Sequence, residues 1–232
     1  MTTYKISPTD FISDFLRRRL TDPEARAEAA ASQTFTATAS QTDYVLTAGS
    51  TVSCITSVTV AGTAKTKWVD YFWDYQNNTV ILGTGATVGQ SVVVSYKYGS
   101  THWINSNRAP AKLSDPGWPQ ISVFTVSNVG RRLGNYSAPV EGDAVFQIDV
   151  WCKTVSPYTI GTHSYSGEHL AEYLAYEVTL AFETYESDFL PILYNYIPIG
   201  LPRYMGFNEQ YQCEHYIVEV GLSGLTMGKL EV

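Results

Sequence analysis

The side chains of this 232-residue chain that could do chemistry are few and scattered. The imidazoles are His102, His163, His169 and His215. Cys213 and His215 stand two apart, so on a strand they share a face and could form half of a zinc site, but no second ligand pair of suitable spacing follows. Asp70 and Asp74 flank Tyr71, Phe72 and Trp73 without the oxygen-dense loop that calcium requires. Glu168 with Glu172, and Glu183 with Glu186, are spaced as paired carboxylates for acid–base work, yet on an amphipathic helix they read as a solvated face. Arg17, Arg18 and Arg19 could meet phosphate but read as a solvated helix face. Residues 83–89 (GTGATVG) imitate a phosphate loop, but the strand pattern SVVVSYKY follows, leaving no helix N-terminus to hold an anion. GxSxG, HExxH and P-loop patterns do not occur. These residues predict no enzyme, no cofactor and no metal centre.

Composition narrows the classes further. Hydrophobic residues make up 44% of the chain and charged ones only 16%, with 17 Tyr and 5 Trp. Such a surface suits a protein that works against partners, or a β-rich chain with aromatic cross-strand pairs. A formal charge of −7 argues against a nucleic-acid grip, which needs clustered Lys and Arg. Cys54, Cys152 and Cys213 lack CxxC spacing and read as reduced, mostly buried thiols of a protein assembled in a reducing cytoplasm. MTTYKISPTD has no apolar core of a signal peptide, and no stretch approaches the ~20 apolar residues of a membrane span. The expectation is a soluble protein with no membrane contact.

The elements that must position these residues can be read in order. Ser7 and Pro8 open a helix over 8–20 whose Phe11, Ile12, Phe15, Leu16 and Leu20 share one face. Asp22-Pro23 interrupts it, and the alanine-rich 24–31 reads as a second, weakly amphipathic turn-rich piece. At Ser32 the composition turns Thr-, Ser-, Val- and Gly-rich. Strands are predicted over 34–39, 44–46, 57–60, 68–73, 79–82 and 91–98, with turns at 61–63, 76–78 and 83–89, the pattern of a small sandwich or barrel. Residues 101–117 read as a loop.

Alternation returns in WPQISVFTVSNVGRRLGNYSAPVEGDAVFQIDVWCK, residues 118–153, as a long hairpin with an exposed, polar tip over 128–143. Residues 154–165 read as a loop. Ser166 then caps a helix over 167–190, with Leu170, Leu174, Val178, Ala181, Phe182, Tyr185 and Phe189 as its buried stripe and Glu168, Glu172, Glu183 and Glu186 on an acidic outer side. A loop with Pro198 and Pro202 leads to a last strand over 211–222. The predicted fold class is α+β: an antiparallel sheet with two helices packed on one face, plus an inserted all-β, sandwich-like domain. In this reading residues 1–32 and 101–232 form the core and residues 33–100 the insertion.

That core order resembles the tail terminator proteins of tailed phages, also described as tail completion or head–tail joining proteins. The resemblance is carried by the helix from Pro8, the strand motif WPQISV, the hairpin ending in FQIDVW, the helix beginning Ser166-Gly167-Glu168, and the strand from His215 to Leu222. It covers about residues 1–32 and 115–225, and the surplus over that family is similar to accessory β domains of virion proteins. The resemblance implies a homo-oligomeric ring, typically a hexamer, at the head–tail neck of a virion assembled in the host cytoplasm. Such a ring ends the tail tube, meets the tail tube protein on one side and the head connector or stopper protein on the other, and lets double-stranded DNA pass without sequence-specific binding. At the hairpin tip Arg131, Arg132, Asn135 and Tyr136 are the expected partner contact, directed along the particle axis. The competing expectation is a surface or carbohydrate-binding β module on a small α+β base, with Trp68, Tyr71, Trp73 and Tyr75 stacking on sugars.

Overall fold

The computed structural model describes residues 3–4, 8–24, 28–47, 52–74, 77–99, 103–106, 118–132, 140–153, 157–185, 195–198, 200–227 and 230–231. The chain is mostly β, with antiparallel sheets and two helices, and its contacts divide it into two compact units. One unit comprises Met1–Ser7, Ala27–Ser100 and Met227–Val232; the other comprises Pro8–Arg26 and Thr101–Thr226.

In the first unit, strands are numbered along the chain. Short β1 (Thr3–Tyr4) pairs with the final strand β17 (Leu230–Glu231). Strands β2 (Ala29–Thr36), β8 (Ser91–Tyr98), β4 (Val52–Val60) and β5 (Thr63–Lys65) make one antiparallel sheet in that order. A second sheet runs β3 (Gln41–Val45), β7 (Thr79–Ala86), β6 (Tyr71–Asp74). Both send side chains into one core containing Tyr44, Val58, Tyr71, Trp73, Val80, Leu82, Val92 and Val94. Alternation in SVVVSYKY does what a half-buried strand requires: Val92, Val94 and Tyr96 are buried while their neighbours face outward or are half-covered.

Several expectations for this region are corrected. The alanine-rich start is strand, because Ala29, Ala30 and Ala31 sit in register with Tyr98, Lys97 and Tyr96, and ladder pairing outweighs alanine's helix preference. Residues 83–86 continue β7 instead of turning. A Cβ on Gly85 would stand 3.1 Å from the Ser40 carbonyl carbon, so a glycine here permits close backbone approach. Asp70 and Asp74 serve turns: Asp70 accepts from the Thr66 amide at 2.8 Å, and Asp74 from the Asn77 side chain at 2.7 Å.

The second unit holds both helices. Sheet order is β14 (Asn195–Pro198), β16 (Cys213–Met227), β11 (Val140–Lys153), β10 (Gln120–Arg132), β9 (Ile104–Ser106), with β15 (Arg203–Asn208) also on β16. Helix α1 (Pro8–Arg19) packs on β9 and β10, and α2 (Gly167–Thr184) packs on β11. The helices touch through Phe15 and Phe182, whose ring centroids are 5.0 Å apart, so they lie side by side on one sheet face. Their stripes meet Ile121, Val123, Ile148 and Val150, all fully buried. Each such side chain contributes about 1.5–3 kcal/mol by leaving water. A small hairpin, β12 (Tyr158–Ile160) and β13 (His163–Tyr165), precedes α2.

Here too the structure departs from expectation. The stretches read as loops contain β9, β12–β13, β14 and β15, short pieces with too few residues to show a period. β9 runs parallel to β10, so the sheet is mixed. Ser166 stands at the N-cap of α2 in extended conformation, but its hydroxyl makes no capping bond, and the helix ends at Thr184 before Leu190. Phe189 and Glu186 lie outside the described residues. Arg17, Arg18 and Arg19 are not a solvated face. Arg17 donates through Nε and Nη2 to the Ile104 carbonyl at 2.9 and 2.6 Å, Arg18 pairs with buried Asp14 at 3.1 Å, and the Arg19 guanidinium lies 3.9 Å from the Tyr185 ring centre.

Candidate interaction surfaces

The hairpin β10–β11 keeps its ladder from Gln120 opposite Trp151 to Arg132 opposite Val140. Arg131 and Arg132 therefore belong to a paired strand and not to a loose tip, with Arg131 across from Glu141. Asn135 and Tyr136 lie outside the described residues. Burial falls off along β10: Val123 is buried, Phe124 half-buried, and Thr125, Val126 and Ser127 exposed. A bulge between Thr125 and Ser127 marks the place where β10 leaves the core, leaving Val126 exposed. From there outward the hairpin is an arm. Asp143 at its root accepts a bond from the Ser223 hydroxyl at 2.7 Å, and His215 Nε2 lies 3.0 Å from Asp149 Oδ1, so β16 runs antiparallel beside β11 up to the arm's root.

A second surface lies on α2. Leu170, Leu174, Val178 and Phe182 face the sheet, which turns His169, Glu172, Tyr173 and Tyr176 away from it at i, i+3, i+4, i+7 spacing. The β12–β13 hairpin forms one wall, with the Tyr165 ring 5.0 Å from that of Tyr173. Ser164, Tyr165, His169, Glu172, Tyr173 and Tyr176 line an open groove of about 420 Å³. On the other flank β15 and β16 contribute Tyr204 and Tyr216, register partners with rings 5.1 Å apart.

These phenols are held in their protonated form, Tyr204 chiefly by a carboxylate and Tyr173 and Tyr216 chiefly by burial. The Tyr204 hydroxyl donates to Glu214 Oε2 at 2.7 Å, and that bond, helped by burial and by Glu168, pushes its pKa up to about 12. Burial raises Tyr216, and Glu172, Glu168 and the neighbouring Tyr176 raise it further. Burial and then Glu177 do the same for Tyr173. Phenols raised in this way are poor acid–base catalysts at neutral pH. What the arrangement offers is π faces beside negative charge, which is recognition chemistry for a guanidinium or ammonium group. The acidic outer side of α2 was legible in the sequence; the tyrosines were not singled out, although Tyr173 and Tyr176 repeat at helical spacing beside those glutamates.

On the far face of the sheet His215 stacks on Trp151 at 3.7 Å and 5°, and Asp149 also accepts from Gln147 at 2.8 Å. Cys213 packs with Trp118 and Trp151, so it and His215 serve a sheet-face cluster. No disulfide joins the three cysteines, which are all buried, and burial raises Cys152 and Cys213, the latter to about 12, which leaves both as inert thiols. Among the described residues no group of three or more His, Cys, Asp or Glu could hold a metal ion, and no helix is long and apolar enough to cross a membrane. The sugar-stacking residues are also displaced from that role: Trp68, Tyr71 and Trp73 are buried, and Tyr75 lies outside the described residues. Comparison with protein-family models, curated proteins and solved structures finds no match to this chain.

Proposed function

We propose that this chain is a non-enzymatic structural protein of a tailed virus particle. In this reading it forms a homo-oligomeric ring, a hexamer, at the head–tail neck, ends the tail tube there and joins it to the head connector. Residues 33–100, within the unit that also takes in 27–32, 1–7 and 227–232, are then an accessory β-sandwich domain carried by the α+β core. One observation carries the proposal: the β10–β11 ladder continues to Arg132, although Thr125, Val126 and Ser127 on one strand and Asp143 on the other are already exposed. A two-stranded hairpin that runs on past an exposed root is marginal on its own, so an arm of this length is built for a partner. The motif order around it, α1, β10–β11, α2, β16, is the order on which the resemblance rests. The acidic balance suits a conduit that does not hold DNA phosphates.

A ring needs two different complementary patches on each subunit, since identical patches close a dimer instead. Arm and groove differ in shape and in chemistry, as that requires. The test is the mass and outline of the purified full-length protein, by light scattering after size exclusion and by negative-stain imaging. Closed rings are expected. A protein that stays monomeric at every accessible concentration would overturn the reading.

A further inference from the structure

We propose that the tyrosine groove on α2 and its glutamate flank receive the Arg131–Arg132 end of the β10–β11 arm of a second copy of this chain. The inference rests on the ring reading and names the partner of the same arm.

The groove's chemistry selects a cation. Tyr165, Tyr173 and Tyr176 present rings around an open concavity, and Glu172 lines it. Among the described residues neither Glu168 nor Glu172 takes part in an ion pair; the pairs formed are Arg18–Asp14, Lys97–Glu28, Arg203–Glu219 and His215–Asp149. A guanidinium entering here meets ring faces and carboxylates together, the environment in which arginine gains most.

The chain's own sequence supplies that cation in one place. Basic residues stand side by side only at 17–19 and at 131–132. The first set is used within its own unit, on the Ile104 carbonyl, Asp14 and the Tyr185 ring. The second stands at the outer end of the arm. Arg131 lies opposite Glu141 in the register and Arg132 opposite Val140.

Reach excludes the chain's own groove. Tyr216 feels the charges of Glu168 and Glu172, which places the glutamate flank beside it, and the adjacent His215 is bonded to Asp149 of β11. From Asp149 outward to Val140 the strand runs about 30 Å further, at ~3.3 Å per residue. The arm leads away from its own groove along a paired ladder, so the groove it fills belongs to another copy. Arm into groove is a heterologous contact, which closes into a ring when the rotation permits. The sequence reading sends this arm along the particle axis; the acidic groove gives it a lateral destination.

The test is charge reversal and rescue in the full-length protein, read by light scattering and negative-stain imaging, with circular dichroism melts reporting the fold. Glu168→Arg with Glu172→Arg, and separately Arg131→Glu with Arg132→Glu, should each raise the concentration for half-assembly by at least about tenfold. Combining all four should restore assembly to within about threefold of the wild type. Glu168→Gln with Glu172→Gln, which removes charge without reversing it, guards against misfolding and should weaken assembly while flattening its salt dependence. If either reversal assembles like the wild type, or the combination is no better than its halves, the docking inference falls and the ring reading stands. If the wild type never assembles, the ring reading falls. A labelled peptide of residues 128–143 then decides on the groove: binding to the wild type but not to the glutamate reversal keeps it, and no binding removes it.

Discussion

The two ends of the sheet in the helical unit are finished in opposite ways. At the β9 end, α1 lies over the strands with Phe11, Ile12, Phe15 and Leu16 all buried, and Ser106 donates to Ser13 at 2.8 Å. Arg17 there takes the Ile104 carbonyl. Trp103 accepts from the Ile121 amide, so Ile104, one residue on, points its carbonyl away from β10, and Arg17 closes an edge that would otherwise be open to another strand. The β15 end stays open to solvent. Tyr204, Met205 and Phe207 are each more than 40% exposed, and Tyr204 and Tyr216 stand beside the glutamates of α2. One end uses its cations internally; the other displays aromatic rings and negative charge. On the proposed ring reading that asymmetry gives each subunit a front and a back, and each end can be broken separately.

The largest effect should come from the core that both ends share. Leu174 is 2% exposed in the α2 stripe, so Leu174→Asp buries a charge without a partner and should unfold the helical unit, a loss of more than about 4 kcal/mol. Glu172→Lys, two residues away on the outer side, should change stability by less than about 0.5 kcal/mol. Thermal melts of the two variants check this; equal stability would mean that the faces of α2 are assigned wrongly.

Next in size is the closed end. Phe15→Ala removes the ring that meets Phe182 and should cost about 3–5 kcal/mol. Tyr204→Ala, its counterpart at the open end, should cost no more than about 1 kcal/mol while weakening self-association. Denaturant midpoints with unchanged slopes would report both. A Tyr204 variant as damaging as the Phe15 one would show the open end to be core.

A smaller loss is expected from the edge plug. Arg17→Ala leaves the carbonyl of buried Ile104 short of two bonds and should cost about 1–3 kcal/mol. It also uncovers a strand edge, so the variant should form aggregates on storage that wild type does not, measured by light scattering at matched concentration.

Much of this plan was legible in the sequence where the period is long. The helix from Pro8, the strand SVVVSYKY, the paired motifs WPQISV and FQIDVW and the stripe of α2 from Leu170 to Phe182 all fall where their spacing puts them. What stayed hidden was short or depended on distant partners. β9 has three residues, and only its pairing with Ile121 makes it a strand. Ala29–Ala31 have helical preferences that β8 overrides. The role of Arg17 depends on a carbonyl 87 residues away, which no local pattern encodes. The tyrosine surface needed α2, β13, β15 and β16 brought together, although its acidic half was readable from Glu168 and Glu172.

The smallest effect concerns a single hydroxyl at the open end. Tyr204 is partly exposed, yet its bond to Glu214 pushes its pKa from the usual ~10 up to about 12. The folded protein therefore holds that proton more tightly than the unfolded chain. The stability this contributes is fully present below pH ~10 and is lost as the pH rises through about 12. Tyr204→Phe should keep the ring and its contact with Tyr216 while removing only the pH-dependent part. The melting temperatures of wild type and variant should thus differ slightly at neutral pH and converge as the pH passes 10. Ultraviolet titration of the phenols gives the direct check, because the variant should lack one late-titrating tyrosine and keep the rest of the curve. If the missing absorbance instead belongs to a group titrating near 10, the Glu214 bond does not form in solution, and the tyrosines of the open end are held there by packing alone.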